Sequence, residues 1–248
     1  MPEQIEKEIV LPDGKTIYSS MGSVMHGALM EKLPASFVAS VHEQGLRPYS
    51  ENIYWDKERQ KAIWQLNILN DRAASVLKPV VKDLSELELK QRGYKVRLTD
   101  LKNKIESYSE LADAMFLRAI TPKGAYLNFI TATSFKRNGQ YVNFPDVFLI
   151  INSLLNRWNK FAENIPLHED RLAINLADMC KIDRYQLHSQ NFSLEKQVIQ
   201  GFAGNIRIRF FAGDMQRRLL GLLLCYANYA GIGIKTALGM GGTEVKIF

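Results

Sequence analysis

Two kinds of residue in this 248-residue chain could do chemistry: four histidines, and one lysine set among glycines. The lysine is Lys235, in the run Gly231-Ile232-Gly233-Ile234-Lys235-Thr236-Ala237-Leu238-Gly239-Met240-Gly241-Gly242, where five of twelve residues are glycine. Glycine tolerates positive φ and lets backbone amides approach a ligand closely. Successive N–H groups can bend into an anion-binding concavity, and Lys235 adds a full charge, so the run reads as a phosphate cradle. A Walker loop needs glycine directly before the lysine, and here Ile234 stands there. The dinucleotide fingerprint G-x-G-x-x-G fails at Thr236. A long helix C-cap followed by a turn explains the same glycines and stays open as an alternative.

The histidines are His26, His42, His168 and His188. Imidazole changes charge near neutrality, which suits it to proton transfer. His168 lies in the polar run Leu167-His168-Glu169-Asp170-Arg171 and reads as a solvated loop residue, while His188 sits in a strand pattern and reads as structural. His26 and His42 share one helical stretch, sixteen positions apart. On an unbroken helix that spacing puts them about 160° apart, on nearly opposite faces. A kink at Pro34 would change this.

The elements that must position these residues follow from periodicity. Ile5–Leu11 reads as a half-buried strand closed by Pro12-Asp13-Gly14. Ser23–Gln44 reads as helix in two pieces, with Ser23 as N-cap, Pro34 opening the second piece and Gly45 ending it. Asn52–Trp55 and Ala62–Ile68 form a hairpin, Asp71–Val81 a helix, and Leu87–Leu98 one strand interrupted by Gly93. The second half repeats the order. Met115–Ile120 is its first strand, Phe144–Ala162 a helix with one apolar stripe, and Ile182–Phe192 and Ile199–Phe211 are strands. Asp214–Tyr229 is an apolar helix and Thr243–Phe248 a last strand. Along the second of those paired strands, Ile206, Ile208 and Phe210 face one way, while Arg207 and Arg209 face the other, where they could meet phosphates or be solvated. Each half reads β-α-β-β-α-β. The fold class is therefore α+β, with two tandem ferredoxin-like (RRM-like) domains at residues 1–110 and 111–248.

Composition excludes several classes. With 46% hydrophobic and 23% charged residues the chain is an ordinary globular protein. Its two cysteines, Cys180 and Cys225, exclude a disulfide framework and a cysteine-rich zinc site. The acidic, polar start is not a signal peptide. The longest apolar stretch, Leu219–Ala230, is too short to span a bilayer, so a cytoplasmic protein with no membrane partner is expected. The net charge is +6, and it is uneven: residues 1–110 hold 16 basic and 16 acidic side chains, residues 111–248 hold 16 basic and 10 acidic. The excess lies with the half that carries Arg207, Arg209 and the glycine run, and it favours a polyanion partner.

Three stretches then point to a family. GFAGNIRIRF, an apolar helix and YAGIGIKTALGMGG, together with GSVMHGALMEKL and SVHEQGLRPYS near the start, resemble the CRISPR-associated repeat-processing endoribonucleases, most nearly those of type III systems. The family's form GxGxKTxxGxG maps onto Gly231, Gly233, Lys235, Thr236, Gly239 and Gly241. The resemblance implies two ferredoxin-like domains and cleavage of CRISPR repeat RNA without metal or cofactor. The 2′-OH attacks the adjacent phosphate, the 5′-oxygen leaves, and a 2′,3′-cyclic phosphate or 3′-phosphate remains. It places the catalytic histidine at His42 first and His26 second, with Arg47 near the family's basic residue. Lys235, Thr236 and the loop glycines become RNA-binding residues, joined by Arg207 and Arg209. Hand-over of product to a type III effector complex and a homodimer are compatible with it. The alternative is a non-catalytic RNA-binding subunit of a CRISPR effector complex.

Overall fold

The computed structural model describes residues 1–43, 45–194 and 197–248. Its first half is a five-stranded antiparallel sheet of β1 (Glu3–Val10), β2 (Tyr49–Asp56), β3 (Lys61–Ile68), β4 (Glu86–Leu89) and β5 (Tyr94–Ile105), in the order β2-β3-β1-β5-β4. Helices α1 (Gly22–Met30), α2 (Ala35–Glu43) and α3 (Asp71–Asp83) pack on one face, over a core that includes Ile5, Met25, Leu29, Val41, Ile53, Leu66 and Leu77. Without β4, this is the ferredoxin-like strand order.

The second half contains α4 (Tyr108–Phe116), β6 (Gly124–Thr133), the small hairpin β7 (Phe135–Arg137) and β8 (Gln140–Val142), α5 (Val147–Phe161), α6 (Leu172–Asp178), β9 (Cys180–Ser193), β10 (Val198–Phe210), α7 (Asp214–Ala230) and β11 (Thr243–Ile247). Its main sheet has the order β11-β6-β10-β9, the same topology again. The apolar stripe expected along α5 is its buried face: Ile150, Ile151, Leu154 and Trp158 are all in the second core. Ile206, Ile208 and Phe210 of β10 point into that core too.

Several expectations are corrected. Met115–Ile120 is not a strand. Met115 closes α4, which a capping box of Ser107 and Glu110 starts and which buries Tyr108, Leu111 and Met115. The first strand of the second half is instead β6. Leu87–Leu98 is a hairpin rather than one strand, because Gly93 adopts φ +70° and turns the chain between β4 and β5. Ser23 lies inside α1 and caps nothing. Its hydroxyl donates to the Ser20 carbonyl, 3.1 Å away. The expected helix Ser23–Gln44 is two helices separated at Glu31–Pro34, and Gln44 lies outside the described residues. The expected division at 110/111 falls within α4, whose buried residues belong to the second core.

The halves join where α7 ends. Ser50 of β2 donates to the Tyr229 carbonyl, and Gln4 of β1 to that of Asn228. No helix among the described residues is long and apolar enough to cross a membrane.

Candidate active site

The site begins where the two halves touch. At Gly22, the first residue of α1, a Cβ would lie 2.8 Å from Gly239 Cα and 2.9 Å from the Leu238 carbonyl oxygen. Only a glycine lets α1 start this close to the glycine-rich loop. About one turn into α1, His26 is buried, with its ring stacked on Tyr49 at 5.8 Å between centroids and 24° between planes.

Both imidazole nitrogens face charged groups. Nε2 lies 3.1 Å from Arg47 Nη1. A guanidinium can only donate, so Nε2 accepts, and the proton of the neutral ring sits on Nδ1. Nδ1 faces Glu51 Oε1 at 3.5 Å. The other carboxylate oxygen of Glu51 accepts from the Trp64 indole N–H at 2.9 Å. Glu51 is 1% exposed, on the core face of β2 between the buried Tyr49 and Ile53.

Burial holds the His26 imidazole down to about 3, with the charges of Arg47 and His42 adding to it. Burial pushes the Glu51 carboxyl up to about 8, against the opposing pull of the Trp64 hydrogen bond and Arg47. Arg47 is half-buried on the segment between α2 and β2. His42 stands exposed in the last turn of α2. The break at Glu31–Pro34 folds α2 back, so His42 acts electrostatically on His26. The two histidines that an unbroken helix would separate thus share one field, together with Arg47.

The glycine-rich loop has a different construction. A Cβ at Gly233 would lie 2.3 Å from the Ser134 carbonyl oxygen, and one at Gly241 2.1 Å from that of Ile232. Its amides are largely engaged inside the protein: Gly233 N–H donates to Ser153 Oγ, Ile234 to Ser134 O, Gly241 to Ala132 O and Gly242 to Thr131 Oγ1. The buried Arg157 guanidinium donates to the Gly233 carbonyl at 3.1 Å. These glycines fasten the loop to the second core. Gly231 is buried among them, against Gly241 and Thr236, and Thr236 is 2% exposed. Lys235, at φ +55°, is the exposed residue of the loop.

Arg207 and Arg209 lie apart from His26, on the outward face of β10. Arg207 binds Asp183 with both ends of its guanidinium, at 2.7 and 2.5 Å, and Arg209 Nε lies 3.4 Å from the same carboxylate. Arg207 stands in register with Tyr126 of β6 and Arg184 of β9, so the row across this sheet is basic and partly aromatic. Among the described residues, no three His, Cys, Asp or Glu side chains cluster as metal ligands.

Sequence reasoning missed Glu51 as a member of the site. The signal was present: in Tyr49-Ser50-Glu51-Asn52-Ile53, Glu51 alternates in phase with two large apolar residues, an unusual place for a carboxylate.

Comparison with known proteins bears on the family and the fold. The model of the family described as CRISPR-associated endoribonuclease Cas6 matches residues 127–243. A Streptococcus thermophilus protein of the same description is 28% identical over 227 residues, covering 89% of each chain. A Mycobacterium tuberculosis one is 24% identical over 241 residues, covering 96% of this chain and 76% of its own. Among solved structures, a Cas6 product complex superposes with a TM-score of 0.78 at 20% identity, covering 99% of this chain and all of the other. Thermus thermophilus Cas6 gives 0.74 at 20% identity, covering 99% of this chain and 98% of its own. These likenesses in structure establish the shared fold.

Proposed function

We infer that this chain, a CRISPR repeat-processing endoribonuclease of the Cas6 family, cuts its RNA by proton transfer between side chains, without a metal ion. The observation that carries the reading is the 3.1 Å approach of Arg47 to the His26 ring on the helix beside the glycine-rich loop, with His42 near enough to act on that ring electrostatically.

The reaction needs a base for the 2′-hydroxyl, an acid for the departing 5′-oxygen and a cation for the charge that develops on the phosphorane. His26, kept neutral by burial and by Arg47, is the base: its Nε2 lone pair takes the 2′-hydroxyl proton once Arg47 turns to the phosphate. The 2′-oxygen then bonds phosphorus, and the P–O5′ bond breaks. His42, exposed to solvent that can reload its proton, donates to O5′. Arg47 holds the equatorial oxygens. The products are a 2′,3′-cyclic phosphate and a 5′-hydroxyl end.

Lys235 is the loop's contact with RNA, presented by a backbone that Gly231, Gly233, Thr236, Gly239 and Gly241 pin in place. The exposed Arg209, beside the half-buried Arg207 that Asp183 holds, offers phosphates a further track. CRISPR repeat RNA is the substrate, and the cut product passes to a type III effector complex. The function is exercised in the cytoplasm.

Purified protein incubated with the repeat RNA of its source genome in EDTA is expected to cut once per repeat and leave a cyclic phosphate. Binding without cleavage under those conditions would instead favour a non-catalytic RNA-binding subunit.

A further inference from the structure

The mechanism uses His26 through one nitrogen and leaves the group behind the other unexplained. Glu51 is a carboxylate inside an apolar core, flanked on β2 by Tyr49 and Ile53 and opposite Leu66 of β3. Such a group is costly to bury. Its two oxygens face two N–H groups: Trp64 Nε1 at 2.9 Å and His26 Nδ1 at 3.5 Å. His26 Nδ1 and Glu51 Oε1 are both buried, neither makes a hydrogen bond among the described residues, and they face each other at 3.5 Å. On the far side of the ring, Arg47 keeps Nε2 an acceptor. The groups that set the charge here are Glu51, His26, His42, Arg47 and Tyr49.

We propose that Glu51 is a positioning residue for cleavage: braced by Trp64, it holds His26 as the Nδ1–H tautomer and so aims the Nε2 lone pair at the 2′-hydroxyl. The proposal rests on the reading of His26 as the base. When Nε2 takes the 2′-hydroxyl proton, the ring becomes an imidazolium, and the Glu51 carboxylate behind it balances that charge without itself taking the proton. An outer partner of this kind sets tautomer and orientation. The carboxylate form is the one required, since both of its oxygens face donors. With Glu51 raised to about 8, the cleavage rate should climb as pH rises towards that value.

Glu51→Gln is the direct test. Its amide oxygen can keep the Trp64 bond, but its NH2 would face Nδ1, making Nδ1 an acceptor and moving the ring proton to Nε2. Single-turnover cleavage is expected to fall 100-fold or more, with RNA affinity within about twofold and the climb towards pH 8 abolished. In the native protein, 15N chemical shifts of His26 should report the Nδ1–H tautomer, and in Glu51→Gln the Nε2–H tautomer. An Nε2–H tautomer in the native protein would overturn the proposal even if the variant fails to fold. So would a folded Glu51→Gln that cuts at the native rate and pH profile while His26→Ala is inactive. That last result would spare the reading of His26 as base, whereas a His26→Ala variant that cuts normally would remove the premise itself.

Discussion

The two halves repeat one topology but use their charged side chains differently. In the first sheet the charges of β1 are paired across its neighbours: Glu3 with Lys78, Glu6 with Arg59, Glu8 with Lys61, Lys7 with Asp100. The half is neutral, and its most deeply buried carboxyl, Glu51, lies beside His26. In the second half acids are scarce, and Lys181, Arg184 and Lys235 carry no ion pair among the described residues. The first half therefore reads as the place where protons move, and the second as the surface that attracts a polyanion. Chemistry and attraction should be separable by substitution.

The largest effect tests the first half. His26→Ala should lower single-turnover cleavage by about 10²–10⁴ and leave RNA affinity nearly unchanged. A matching loss of affinity would break the division. His42→Ala should also slow cleavage at native affinity, and a His42→Ala variant at full rate would leave the acid to another group.

Gly241→Ala comes next and strikes the glycine-rich loop behind α1. Its Cβ would meet the Ile232 carbonyl oxygen at φ +70°, a conformation alanine tolerates poorly. A cost of about 1–3 kcal/mol is expected from strain of this kind, read as a lower midpoint in chemical denaturation, with cleavage falling too because the loop backs α1.

Lys235→Ala tests the second half. RNA binding should weaken, and the slope of log affinity against log salt should flatten by about 1, while cleavage at saturating RNA stays near native. An unchanged salt slope would move the RNA track away from the loop.

The smallest effect concerns stability. Glu51 has a raised value in the fold, so its carboxyl favours folding below the ordinary carboxylate range and loses that contribution as pH rises towards about 8. His26 has a depressed value, so its contribution is present above its ordinary range and is lost as pH falls towards about 3. Melting curves of Glu51→Gln should therefore gain on the native protein between about pH 4.5 and 8 and run parallel above it. A constant offset across that window would mean that the carboxyl is not held as described.

What the sequence disclosed follows from how local each signal is. The α5 stripe and the alternation of β10 are local periodicities, and both elements form where those patterns run. The capping pair Ser107 and Glu110 was equally local but lay just before the segment weighed as a strand, so α4 went unread. Gly93 was legible as an interruption, but not as a turn reversing the chain. His26, His42 and Arg47 could be named from the chain, whereas their meeting depends on the fold-back between α1 and α2. Glu51 acquires meaning only through His26 and Trp64, which lie 25 residues before it and 13 after.

The contact between Gly22 and Gly239 also bears on when the protein becomes active during synthesis. The ribosome makes α1 about 200 residues before its backing loop, so until then the nascent chain carries His26 on a helix whose first turn lacks that support. On the reading of His26 as the base, competence to cut RNA is expected only once the loop has emerged, so that a chain released before Gly239 should be an idle fragment rather than an unregulated nuclease.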